Sequence, residues 1–172
     1  MLHGWLSENA KFFAAVMGNL RLTAPIYLLT SRETCYRCGK VAPVVALSCS
    51  KFSDDGEDEP KDSEPILVSN VSDLPDNLLN LIRSVHPHYE KRRSRMADAD
   101  YFMNICPDCN AHFGDFFLFS EPEGAFFPMG DEALASITIK KLAIEGEVEV
   151  DGSYHMGLGA EIFAKGTALD PI

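Results

Sequence analysis

A chain of 172 residues, 46% hydrophobic and 24% charged, has the composition of a globular protein, not of a disordered or fibrous one. At that length it can bury roughly 70% of its unfolded surface, and no apolar run approaches the roughly 20 residues of a membrane-spanning helix. A formal charge of -11 argues against a nucleic-acid surface as the main business, because phosphate contacts come from Lys and Arg.

Residues 7 to 18 read as a helix, with Ser7 as N-cap and Ala10, Phe13, Ala14 and Met17 at helical spacing. Within it, Phe12 to Met17 makes a poor signal peptide, lacking a basic leader and a cleavage-like site, so the chain reads as cytoplasmic. Ile26 to Thr30 is extended and leads into Cys35, and Val41 to Ser50 reads as the returning strand. Asp54 to Glu64 holds seven acids and one Lys, without apolar periodicity, and predicts a flexible acidic loop. Residues 74 to 85 form an amphipathic helix with Pro75 in its first turn, stopped by Pro87. Lys91 to Arg95 is a basic run read as a turn or solvated loop, Tyr101 to Ile105 a strand, and Phe116 to Phe119 a second, strongly apolar strand. Phe116 and Phe117 would then point to opposite faces. Asp131 to Ser136 suits a short helix, Ile137 to Ile144 extended structure, and Glu147 to Val150 a strand turning back at Asp151-Gly152. The expectation is a single α+β domain over 1–172: a zinc-ribbon-like antiparallel sheet with an inserted helix, an N-terminal helix and a C-terminal β-hairpin.

Two matched cysteine pairs carry the chemistry, Cys35-Tyr-Arg-Cys38-Gly39 and Cys106-Pro-Asp-Cys109-Asn110. A two-residue spacing lets both thiolates reach one metal from a tight turn, and four thiolates complete the tetrahedral shell of a structural zinc with no open position. Each turn calls for a positive φ after its second cysteine, which Gly39 adopts freely and Asn110 tolerates. The 67 residues between Cys38 and Cys106 mean that tertiary structure must close the site. Redox use is the alternative, and it requires a helix after the first cysteine of a pair, where extended residues are expected instead. Cys49 is left over, and His112 reads as a neighbour of the site, not a ligand.

Asp108, Asp115, Glu121 and Glu123 cluster around the second pair and could serve a hydrolytic site, although turn chemistry explains them as well. His86 and His88 flank Pro87, where a histidine suits a helix C-terminus. Phe113, Phe116, Phe117, Phe119, Phe126 and Phe127 suggest a core behind the cysteine turns.

The segments Thr34-Cys35-Tyr36-Arg37-Cys38-Gly39-Lys40, Asn104-Ile105-Cys106-Pro107-Asp108-Cys109-Asn110-Ala111 and Gly114-Asp115-Phe116-Phe117-Leu118 together resemble a group of uncharacterised bacterial double-CxxC zinc-ribbon proteins. The resemblance implies a zinc-binding fold with Cys35, Cys38, Cys106 and Cys109 as ligands, and no activity. With no catalytic constellation and a concentrated acidic segment, the function expected is a zinc-stabilised protein–protein interaction module. An acidic inhibitor or immunity-type partner of a basic protein such as a nuclease toxin is its sharpest form. A nucleic-acid-associated ribbon using Lys91 to Arg95, and a carboxylate-dependent hydrolase, are the alternatives.

Overall fold

The computed structural model describes residues 18–55, 57 and 59–172, and among these the chain is mostly strand with four helices. Seven strands form one sheet: β1 (Gly18–Thr23), β2 (Ile26–Thr34), β3 (Val41–Ser53), β4 (Lys61–Asp73), β8 (Thr138–Lys141), β9 (Glu147–His155) and β10 (Thr167–Leu169). Their order is β1-β9-β4-β3-β2-β8-β10, antiparallel except for the β8–β10 pair. Because β1 also pairs with β3, the strands β1, β9, β4 and β3 close into a ring. A bulge between Cys49 and Lys51 bends β3, so that one strand serves β2 along its first part and β1 near its end. A second sheet comprises β5 (Tyr89–Ser94), β6 (Ala99–Ile105) and β7 (His112–Phe113).

Both faces of the central strands are buried, which their Val- and Leu-rich sequences dictate. Along β3, Val45, Leu47 and Cys49 join one apolar cluster while Val44 and Ala46 join another, the period-2 alternation of a pleated strand. Helix α1 (Asp76–Val85) lays Leu78 and Ile82, four residues apart, on the first cluster. Each such buried aliphatic side chain contributes about 1.5–3 kcal/mol. Pro75 sits at the N-cap, one position outside the helix, where its missing N–H costs nothing. The second cluster collects Phe113, Phe119, Phe126 and Ile162 with the buried cysteines Cys35 and Cys106.

Asn104 ties the two sheets together. It is 1% exposed, accepts the Val45 N–H through Oδ1 at 2.8 Å and donates from Nδ2 to the Val45 carbonyl at 3.1 Å. The side chain thus pairs with β3 next to the last residue, Leu47, that β3 shares with β4. Asn104→Ala leaves two buried backbone groups unpaired, and we expect it to cost about 3 kcal/mol in a denaturant titration. A loss below about 1 kcal/mol would show that this bridge is dispensable.

Several expectations are corrected. Phe116 to Phe119 is not a strand but part of helix α2 (Asp115–Phe119), entered from Gly114 in an extended conformation. Phe116 and Phe117 are therefore both exposed, while Leu118 and Phe119 are buried. No hairpin forms at Asp151-Gly152: β9 runs straight through it, paired to β1 at Gly18 and Asn19 on one side and to β4 on the other. With partners on both flanks, the strand gains more from continuing than the dipeptide gains from turning. Gly152 is needed here for close approach, since an added Cβ would lie 3.0 Å from the Ser69 carbonyl oxygen.

The basic run is mostly strand: Lys91, Arg92 and Arg93 lie in edge strand β5, where exposed Lys91 and Arg93 protect an unpaired strand edge, and only Arg95 falls in the turn beyond it. The acidic stretch connects β3 to β4, and its last residues, from Lys61, already belong to β4. Asp55 Oδ2 accepts the Asn19 N–H, Asp54 Oδ2 accepts the Tyr154 hydroxyl, and Lys61 pairs with Glu57. Helix α3 (Asp131–Ser136) lies where expected, whereas helix α4 (Leu158–Lys165) and β10 were not anticipated. Leu142 and Ile144 enter the core from outside any strand. The expected N-terminal helix lies outside the described residues, apart from Gly18, which opens β1. Among the described residues no helix is long and apolar enough to cross a membrane.

Candidate metal centre

The two cysteine turns are built alike. In the first, Cys35 N–H donates to the Lys40 carbonyl at 2.8 Å and Gly39 N–H to the Cys35 carbonyl at 2.8 Å. In the second, Cys106 N–H donates to Ala111 at 2.7 Å and Asn110 N–H to Cys106 at 2.9 Å. Gly39 (φ 72) and Asn110 (φ 59) take the left-handed conformation that the sequence demands at these positions. The first turn joins β2 to β3 in the large sheet, and the second joins β6 to β7 in the small one.

Folding brings the four thiols together. Their sulfurs all lie within 4.8 Å of one another, with Cys35 Sγ 3.5 Å from Cys109 Sγ and Cys38 Sγ 3.8 Å from Cys106 Sγ. A tetrahedron of thiolates about 2.3 Å from a zinc ion has edges of about 3.8 Å, close to the two separations of 3.5 and 3.8 Å, so the donor set is of the size that holds one ion. Both of these contacts run between the pairs, so an ion here would cross-link the two sheets. All five cysteines are free thiols. Strands, not helices, follow Cys38 and Cys109, which is the wrong context for a thioredoxin-like redox pair.

Backbone dipoles prepare the sulfurs unevenly. Burial pushes the Cys35 thiol up, but the N–H groups of Cys38 and Arg37 together with the Cys109 and Cys106 thiols outweigh it and bring it down to about 7. For Cys109, the Ala111 N–H pulls down, while burial and the three neighbouring sulfurs push up, to about 12. One thiolate among four sulfurs thus disfavours the next, a repulsion that a divalent cation relieves. Lys40 Nζ lies 2.5 Å from Asp108 Oδ1, an ion pair that spans the two turns, and Arg92 donates to Asn110 Oδ1 at 3.1 Å.

No protein-family model, no curated protein and no solved structure matches this chain. The chemistry of the centre therefore rests on its own geometry: four soft donors, with Cys35 and Cys106 buried, Cys109 part-buried and Cys38 exposed, enough to fill a tetrahedral shell.

Both turns run into the walls of a cleft of about 1140 Å³. Glu33 and Thr34 come from the end of β2 and Tyr36 from the first turn, and His112, Phe113, Gly114 and Asp115 follow the second. The tip between β5 and β6 and the turn around Glu121 to Gly124 complete it. Glu33 is fixed by two backbone donors, Thr34 N–H at 2.9 Å and Ala125 N–H at 3.1 Å. Asp115 is 5% exposed, and its Oδ2 accepts the Asn70 N–H at 2.6 Å. Burial, only partly offset by that N–H, raises its carboxyl from 3.8 to about 7. His155, whose Nε2 lies 2.8 Å from Ser69 Oγ and whose ring stacks on Phe119, is driven down to about 4 by burial. Ser69 is buried and lies outside the cleft, so this pair is a packing feature and not a nucleophile with its base.

The carboxylates near the second cysteine pair separate into two groups. Asp115, Glu121 and Glu123 line the cleft, while Asp108 is taken by Lys40. His112 is exposed on β7, lines the cleft and is not part of the metal-ligating group. His86 is buried with its ring pushed down to about 4 by burial and the nearby His88, so it brings no positive charge to the end of α1. The basic run is largely committed: Arg92 pairs with Glu90 at 2.7 Å, Arg93 with Asp98 at 2.5 Å and Asp100 at 3.7 Å, and Lys91 sits over the Phe102 ring. Asn70, Tyr101 and His155 escaped the sequence reading. They carry no motif and come from three separate strands.

Proposed function

We propose that the four cysteines hold one structural zinc ion in a ribbon-like clamp, and that the chain is a binding protein whose partner is a basic protein. The observation that carries this reading is the continuity of both cysteine turns with the walls of one cleft, so that a single ion fixes the spacing of a binding surface. Bound zinc would supply a cross-link and no reaction, and Cys35, Cys38, Cys106 and Cys109 are its ligands. Four thiols in reduced form suit a cytoplasmic setting. The net charge of -11 favours a basic partner, for which an inhibitor of a nuclease toxin is the sharpest case. Nucleic acid is less well supported, because Lys91, Arg92 and Arg93 already have intramolecular partners.

The test is affinity capture followed by association kinetics with the purified partner. The reading expects a basic partner whose association slows as salt rises, and slows about tenfold in a Glu59→Gln, Asp62→Asn, Glu64→Gln variant. An acidic partner, or an association rate indifferent to both changes, would contradict it.

One observation favours a second reading, a carboxylate-dependent hydrolase: Asp115, Glu121 and Glu123 share the cleft, and Asp115 titrates near neutrality. Hydrolysis of generic ester or phosphoester substrates that Asp115→Asn abolishes would establish it, and activity that survives the substitution would remove it.

A further inference from the structure

We infer that the cleft beside the metal centre is where the basic partner docks, and that it receives one lysine or arginine side chain whose cationic nitrogen reaches Asp115 Oδ1. This inference rests on the proposed reading that the partner is basic, and adds to it a place and a chemistry.

Asp115 provides the first argument. One of its carboxyl oxygens is satisfied by Asn70, but Oδ1 accepts no hydrogen bond among the described residues, although the side chain is only 5% exposed and lines the cleft. A recessed carboxyl with one open oxygen is complemented best by a charged donor, which makes hydrogen bonds roughly twice as strong as a neutral one does. The surroundings suit the rest of such a side chain. Phe116 and Phe117 are about half exposed and meet edge to face at 5.5 Å, and exposed Tyr36 lines the same cleft. Aromatic faces attract ammonium and guanidinium groups, and the methylene stem of lysine or arginine covers apolar surface on its way in.

Charge at the rim points the same way. Glu121 and Glu123 make no ion pair among the described residues, whereas Arg93 is engaged by Asp98 and Asp100 on its own hairpin. Arg95 also lacks an ion pair among the described residues, and it suits an acidic group flanking the inserted base. A divalent cation is a poorer occupant. The four cysteines are the only cluster of three or more ligating side chains among the described residues, so Asp115 has no companions with which to coordinate a metal.

The experiment is an amide-resolved NMR titration of the full chain with N-acetyl-arginine methylamide, its lysine counterpart and its uncharged citrulline counterpart. The expected result is millimolar binding of the two cationic probes, with shifts centred on Asn70, Asp115 and Phe116, and at least tenfold weaker binding of citrulline. Asp115→Asn should weaken the cationic probes by about tenfold, the loss expected when a charged hydrogen-bonded pair is reduced to a neutral one. Phe116→Ala, a change at an exposed side chain outside the four-cysteine cluster, should weaken them severalfold and keeps the test valid if Asp115→Asn rearranges the cleft. Equal binding of citrulline, no shift in the cleft, or unchanged affinity in both variants would overturn the inference. If the purified basic partner binds wild type and Asp115→Asn equally, the partner reading stands and the cleft is excluded as its site.

Discussion

Cys106→Ser lowers the midpoint of thermal unfolding by about 10–20 °C, whereas Cys49→Ala lowers it by only about 2–4 °C. The contrast follows from where each thiol sits. Cys106 is 1% exposed and belongs to the four-sulfur cluster that joins the small sheet to the large one. In small peptides such a metal site is worth about 10–16 kcal/mol, but here a two-sided core remains when the metal is lost, and about 5 kcal/mol is the expected share. At ~2–4 °C per kcal/mol for a chain of this size, that gives the stated shift. Cys49 is equally buried but lies in the other apolar cluster, with its thiol pushed up to about 12 by burial. It behaves as a small apolar side chain, and trimming it to Ala costs about 1 kcal/mol. Differential scanning calorimetry decides the matter, and equal losses in the two variants would mean that the cluster holds nothing.

Asp115→Asn raises stability by about 4 kcal/mol above pH 7 and by almost nothing below pH 4. The folded-state carboxyl titrates near 7 and the unfolded one near 3.8. Below pH 4 both states carry the proton, and the group has no effect. Between pH 4 and 7 the unfolded chain releases its proton while the folded chain keeps it, so stability falls as pH rises. Above 7 the penalty is complete, on the order of 4 kcal/mol at 1.36 kcal/mol per pKa unit. The Tyr101 and Tyr89 hydroxyls near this carboxyl are themselves raised and stay neutral over that range. Urea titrations at several pH values should show a slope that the variant lacks. An unchanged slope, or a less stable variant at pH 8, would show that the carboxyl is fully compensated. A residue that costs the fold this much at the wall of a cleft is the kind retained for binding, not for packing.

The four-cysteine cluster was legible because its determinants are local. The spacing of Cys35 to Cys38 and of Cys106 to Cys109, with Gly39 and Asn110 at the left-handed positions, specifies two turns without reference to the rest of the chain. Strands β2 and β3 and helix α1 were legible for the same reason, since their apolar periodicities are strong. The misses arise where tertiary partners outvote local preference. Phe116 to Phe119 has strand composition, yet burial of Leu118 and Phe119 with Gly114 and Asp115 at the start gives a helix. Helix α4 depends on Gly159, where any Cβ would strike the Pro65 carbonyl oxygen at 1.9 Å, a contact invisible in the sequence. The cleft was least legible of all. Asn70, Tyr101, Asp115 and His155 meet only through the pairing of β4 with β9 and the packing of the small sheet on the large one.

The central claim is that Cys35, Cys38, Cys106 and Cys109 close one zinc site that holds the two sheets together. Metal analysis of the purified protein by inductively coupled plasma mass spectrometry, paired with native mass, tests it most directly. The account predicts about one zinc per wild-type chain, retained in Cys49→Ala and lost in Cys106→Ser. Folded wild-type protein that carries no zinc, or that carries it equally well without Cys106, would contradict it.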